Sequence, residues 1–204
     1  MASVFPIEIY EHIMELAVEN RAPSFTKVYM LSWSLVCRAW RRQCRPYLFQ
    51  FMRYRYTDLP ALYTIRQRIV ERPDLASLVE VIEVEHTRKP YGSEIEMFPI
   101  VIYKHFPRLR RINIFLEGAM TWRTYPHRYF RVSHLRFESV TELLLRGLVL
   151  RHTSELDIHL SMFPRLRTLC LTNIYWFPEA EKGWPSSPRF MPPITDLQLG
   201  EVKV

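Results

Sequence analysis

The chain has 204 residues, 48% hydrophobic and 14% aromatic, which is enough for a real core and argues against a disordered chain. Its net charge of +7 favours an anionic partner, but residues 1–56 hold eight Lys/Arg against four Asp/Glu, more than half of the surplus, so no uniformly basic groove runs along it. Its five glycines stand singly, which excludes glycine-cradled phosphate loops, and Cys37, Cys44 and Cys170 lack CxxC spacing, which argues against a disulfide framework or zinc knuckle.

Residues 6–19, "PIEIYEHIMELAVE", predict a helix with Pro6 in its first turn. At 100° per residue, Ile9, Ile13, Leu16 and Ala17 share one apolar face, while Ile7, Tyr10, Met14 and Val18 share another. A surface helix needs one such stripe. Two stripes place the helix between its own core and a second body, either another part of this chain or a partner.

After a loop over 20–24, with Ser24 as the expected N-cap, "FTKVYMLSW" and "SLVCRAWRRQC" continue as helix. Trp33, Val36, Cys37, Trp40 and Cys44 fall on one face, and Arg38, Arg41, Arg42 and Arg45 on the opposite one. Leu31 and Leu35 add a second apolar strip beside the arginines. Cysteines set among tryptophans act as small hydrophobes and not as reactive thiols. The arginines suit a solvated face, a rim that docks an acidic protein surface, or phosphate contacts; docking accounts for strips and charge together.

"FPIEIYEHIMELA" followed by "LSWSLVCRAWRRQCRPYLF" resembles an F-box over residues 5 to about 50, especially the fungal type in which leucine-rich sequence follows. Phe5 stands where the family usually has leucine, and residues 20–30 are longer and more aromatic than the family's link. The resemblance implies binding to a Skp-type adaptor and, through it, to a cullin-RING ubiquitin ligase. It assigns Phe5, Pro6, Ile9, Leu35, Val36, Cys37 and Trp40 to the core or adaptor face, to which the apolar strip adds Leu31.

Beyond residue 50 a repeat governs the chain. "FPRLRRINIFLEG" (106–118) and "FPRLRTLCLTN" (163–173) share an L-x-x-L-x-L frame. It recurs as Val79/Ile82/Val84, Leu109/Ile112/Ile114, Val140/Leu143/Leu145, Leu166/Leu169/Leu171 and Ile194/Leu197/Leu199, with Phe49/Met52/Tyr54 as an aberrant first copy. The steps of 30, 30, 31, 26 and 28 residues lie near the upper edge of leucine-rich-repeat lengths. Each copy predicts a strand whose alternate residues enter a core, stacked into a parallel sheet with helices outside over 58–73, 94–107 and 153–164. Prolines 73, 107 and 164 end those outer segments. The proline- and aromatic-rich stretch 175–193 reads as a loop.

The expected fold is therefore α+β: a small helical module over 1–50, then a short leucine-rich-repeat α/β solenoid over 51–204 with strands near 52–54, 82–84, 112–114, 143–145, 169–171 and 197–199. The last copy runs to Val204 without a polar capping repeat, so an exposed apolar strand end is expected unless a partner or further chain covers it.

Residues between the frame positions face the open side: Glu83, Glu85, Arg111, Asn113, Phe115, Glu142, Leu144, Arg146, Thr168, Thr172, Asp196 and Gln198. Their mixed charges suit a protein or peptide substrate better than a phosphate backbone. The seven histidines show no ligand spacing, no nucleophile elbow is present, and Glu179 with Glu181 reads as a solvated pair, so no metal, cofactor or active site is expected. No apolar run approaches the roughly 18 residues of a membrane span. A non-enzymatic substrate receptor of the cytoplasm or nucleus is the leading expectation. A basic helical-repeat protein binding nucleic acid, or a degenerate F-box paralogue, are the alternatives.

Overall fold

The computed structural model describes residues 6–19, 23–56, 59–86, 104–121, 136–150, 156–157, 160–176 and 192–203. The chain divides into two compact units, Met1–Phe51 and Met52–Val204. Together they hold helices and a parallel sheet, an α+β architecture.

The first unit carries α1 (Ile7–Glu19), α2 (Pro23–Trp33) and α3 (Arg38–Gln50). Pro23 opens α2, where its missing N–H has no intrahelical partner to lose, so Ser24 lies inside the first turn instead of capping it. The helices meet at Met14, Met30 and Cys44, one from each, all fully buried. Trp33, Trp40, Tyr47 and Leu48 pack around them, with Trp33 and Trp40 edge to face at 5.6 Å. The Cys44 thiol lies 3.9 Å from the Met14 sulfur, and burial pushes its pKa up, as expected of a cysteine used as a hydrophobe.

The single helix expected from Trp33 to Cys44 is broken. Ser34–Val36 form a turn in which the Ser34 hydroxyl donates to the Leu31 carbonyl at 2.7 Å and the Val36 N–H bonds the Trp33 carbonyl at 3.1 Å. Cys37 then takes an extended backbone (φ −158°, ψ 173°) and caps α3, its sulfur accepting the Trp40 N–H at 3.5 Å. Serine competes with the helix for its own carbonyls, and the cap supplies a partner for a new helix start. Val36 and Cys37 are consequently exposed, whereas Trp33, Trp40 and Cys44 remain with the core.

The second unit contains β1 (Phe51–Tyr56), α4 (Leu59–Glu71), α5 (Pro73–Ala76), β2 (Val81–His86), β3 (Arg111–Thr121), β4 (Glu142–Leu150), β5 (Thr168–Thr172), β6 (Ile174–Trp176), β7 (Asp196–Leu199) and β8 (Val202–Lys203). The sheet runs β1-β2-β3-β4-β5-β7, with β6 beside β4 and β8. β2 through β8 pair in parallel. The register aligns Ile82, Ile112, Leu143, Leu169 and Leu197 in one row and Val84, Ile114, Leu145, Leu171 and Leu199 in the next. These rows are the inner positions of the sequence frame.

In four copies the frame's first position closes a turn: the N–H groups of Val79, Leu109, Val140 and Leu166 bond the carbonyls of Ala76, Phe106, Phe137 and Phe163 at 3.1–3.2 Å, whereas that of Ile194 bonds the Pro192 carbonyl at 2.8 Å. The next carbonyl, of Glu80, Arg110, Thr141 or Arg167, then accepts two N–H groups from the following copy, at 2.9–3.1 Å. Stacking of one copy on the next thus leaves few strand-entry groups unpaired. Ile69, Ala76, Leu160 and the stacked rings of Phe137 and Phe163 belong to the core on the inner side.

Several local expectations change. Phe49 lies in α3, so only Met52 and Tyr54 of the aberrant copy enter a strand. Pro73 opens α5 instead of ending an outer segment, after α4 has finished at Glu71. Tyr175 and Trp176, read as loop, form β6, because Asn173 at φ 52° turns the chain and lets it rejoin the sheet beside the end of β4. The expected helix over 94–107 falls outside the described residues up to 103, as does the 175–193 loop over 177–191. Of the segment 153–164, Leu160 is buried and Leu156 packs against the core.

Candidate interaction surfaces

On the first unit the three-residue core leaves much apolar surface outside. Among the described residues, eight of the twelve large hydrophobic side chains that are exposed belong to it: Ile9, Ile13, Leu16, Val28, Tyr29, Leu31, Leu35 and Val36. The α1 stripe of Ile9, Ile13 and Leu16 is the half of the helix that the Met14 core does not use. Leu35 and Val36 ride on the turn between α2 and α3 and are 77% and 65% exposed. Apolar surface gathered on one small unit marks an interaction site more than scattered single residues do.

Cations adjoin that turn. Arg41 Nε donates to the Ser34 carbonyl at 3.4 Å, which anchors its guanidinium beside Leu35 and Val36. Arg38, Arg42 and Arg45 are exposed as well. Gln43 Nε2 donates to Glu11 Oε1 at 2.8 Å and ties α3 to α1. Of the residues expected to hold an adaptor, Pro6, Ile9, Leu31, Leu35, Val36 and Cys37 are exposed; Trp40 is half-buried against the core, and Phe5 lies outside the described residues.

The second unit offers the open face of its sheet. Strand alternation brings out the twelve positions expected there: Arg111, Arg146, Asp196 and Gln198 are exposed, and the other eight are half-buried. Several are already engaged, with one another or with β1. Arg53 Nε meets Glu83 at 2.7 Å and the same guanidinium also reaches Glu85, which Arg55 holds at 3.0 Å. Arg111 pairs with Glu142, and Gln198 Nε2 donates to Asp196 at 2.9 Å. Partial burial pulls the Glu85 carboxyl upward, but the hydrogen bonds from Arg55 and Arg53 prevail and hold its pKa below the ordinary value. Asn113, in register between Glu83 and Leu144, has a buried Oδ1 without a hydrogen-bond partner among the described residues.

A cavity of about 470 Å³ opens on this face, lined by Arg53, Glu83, Glu85, Phe115, Leu116, Arg146, Gly147, Asn173 and Tyr175. Four of these were expected from the strand alternation. Arg53 was missed although it occupies, in the aberrant first copy, the place that Glu83 holds in the next. Gly147 and Asn173 follow their frames at φ 79° and φ 52°, and no strand pattern announces such a kink. A side chain at Gly147 would put its Cβ 2.1 Å from the Leu116 carbonyl oxygen, so only glycine admits the close approach of β3 and β4.

Among the described residues no group of three His, Cys, Asp or Glu side chains is placed to hold a metal ion, and no helix is long and apolar enough to cross a membrane. No family model matches the chain, and no curated protein is found similar to it.

Proposed function

We propose that the protein is a receptor subunit of F-box type, holding a Skp-type adaptor through its first unit and a protein substrate through the sheet of its second. The observation that carries this reading is the exposure of Leu35 and Val36 on a turn flanked by arginines, in a helical unit whose own core is already closed around Met14, Met30 and Cys44. A large apolar pair on a tight, hydrogen-bonded turn is a ready anchor for a pocket on a partner, and a charged rim speeds encounter with an acidic surface. The resemblance of residues 5 to about 50 to the F-box points to the same face.

The second unit fits the role of a leucine-rich-repeat-like substrate holder: successive copies of one frame align in a parallel sheet, and the positions between them stay exposed or half-buried among the described residues. Where the repeat consensus asks for Asn or Cys after the strand, residues 148 and 174 are Leu and Ile, both buried, so apolar packing takes the place of a polar ladder. In this reading the chain performs no chemistry. It raises the effective concentration of a bound protein at a ubiquitin-transfer machinery in the cytoplasm or nucleus.

Co-expression of the full chain with a Skp-type adaptor, followed by size-exclusion chromatography with light scattering, tests the proposal. A stable 1:1 complex is expected. A folded chain that elutes alone at micromolar concentration overturns it.

A further inference from the structure

Among the described residues of the open sheet face, the arginines are matched with carboxylates, with one exception. Arg53 and Arg55 hold Glu83 and Glu85, and Arg111 holds Glu142. Arg146 makes no hydrogen bond or ion pair among the described residues. Its partners in register are Phe115 on β3 and Thr172 on β5, both neutral. Glu85 lies in the same row but two strands away, about 10 Å at about 4.8 Å per strand, and two guanidiniums already hold it.

Arg146 also stands in the wall of the cavity on this face, with the rings of Phe115 and Tyr175 among its neighbours there. The cavity therefore joins one unmatched fork of N–H donors to aromatic walls. We propose that it binds the carboxylate of an acidic peptide segment, the Arg146 guanidinium taking an Asp or Glu side chain while Phe115 and Tyr175 flank the neighbouring residue. The inference rests on the receptor reading above and names the chemistry of what the second unit would hold.

Charge decides between one negative charge and two. The charged lining of the cavity, Arg53 and Arg146 against Glu83 and Glu85, balances to zero, and Arg55, which pairs with Glu85 from outside the lining, adds one positive charge nearby, which one carboxylate matches. A phosphomonoester, with about −1.5 to −2 at neutral pH, overshoots it and meets Glu83 and Glu85 as like charges. The open face of a parallel sheet also suits an extended segment, whose alternate side chains return to the same side every two residues.

The test uses the immobilised full chain and three pools of octapeptides, randomised except for a central Glu, Gln or phosphoserine. Retention of the Glu pool is expected to exceed that of the Gln pool about tenfold, the scale of one charge-assisted, bidentate contact. Arg146→Gln should abolish that preference with an unchanged melting curve, since the side chain is exposed, and Arg146→Lys should keep part of it. Equal retention of Glu and Gln pools, preference for phosphoserine, retention of no pool, or a Glu preference that survives Arg146→Gln each overturns the proposal. Adaptor capture by the same preparations separates the two ideas. Glu preference without adaptor capture removes the receptor reading and leaves the cavity, and adaptor capture without Glu preference does the reverse.

Discussion

Replacing Leu35 by glutamate separates docking from folding. The side chain is 77% exposed, so little of it is removed from water within the free chain, and substitutions at such sites change stability by within about 0.5 kcal/mol. For a chain of this size the melting temperature should then move by under about 2 °C. Binding responds differently. Full burial of a leucine is worth about 1.5–3 kcal/mol, so covering the 77% that is exposed contributes about 1–2 kcal/mol to a complex. Placing a carboxylate in the same apolar contact costs at least a further 1–3 kcal/mol. The sum, about 2–5 kcal/mol, corresponds to a loss of at least about 30-fold in affinity for a Skp-type adaptor. Calorimetric titration measures this, with far-UV circular dichroism melting on the same samples. Met30→Glu, at a fully buried position, serves as the contrast and should unfold the helical unit. An affinity unchanged within twofold, or a Leu35→Glu chain that melts more than 5 °C lower, refutes the reasoning.

Further outcomes follow from the sheet. Leu169→Ala should cost about 3 kcal/mol and Leu197→Ala under about 1.5 kcal/mol in denaturant titrations, because the two sit in one register row at 2% and 55% exposure; equal costs would mean that Leu197 is covered in solution. Gly147→Ala should destabilise by more than about 2 kcal/mol, since it combines a φ of 79° with a Cβ driven onto the Leu116 carbonyl, and a variant as stable as wild type would show that β4 runs without this kink. Burial raises the Tyr54 phenol far above the ordinary value, so the folded state resists its ionisation. Stability from this group is complete below about pH 10, where the unfolded phenol begins to ionise, and is lost as pH rises further. Unfolding midpoints between pH 8 and 11 should fall less steeply for Tyr54→Phe than for wild type; parallel slopes would contradict the burial.

The strand positions were legible because a period of two and a period near thirty are both written into single residues. Ile112, Leu143 and Leu169 announce their row without any knowledge of neighbours, and the pairing keeps them in it. The apolar stripes of α1 were legible for the same reason, although periodicity could not say which would be core. Met14, and not Ile9 or Ile13, turned inward because Met30 and Cys44 reach it from the other two helices. The break at Ser34–Val36 was hidden, since the helical pattern through Trp33, Trp40 and Cys44 continues across it and only local hydrogen bonds interrupt it. The cavity was half legible. Glu83, Glu85, Phe115 and Arg146 follow from alternation, but their union with Arg53, Gly147 and Tyr175 depends on which strands lie side by side.

Sequence alone determined the local geometry of this protein: where the backbone extends, where it coils, and which alternate residues share a face, because those choices depend on side chains a few positions apart. Tertiary structure decided what each face meets. Leu169 and Leu197 carry the same frame and the same chemistry, yet one is sealed between β4 and β7 while the other, among the described residues, lies on the last strand of the row with β5 on one side only. Burial belongs to neighbours, and neighbours from a stretch about thirty residues away are chosen only when the whole sheet forms.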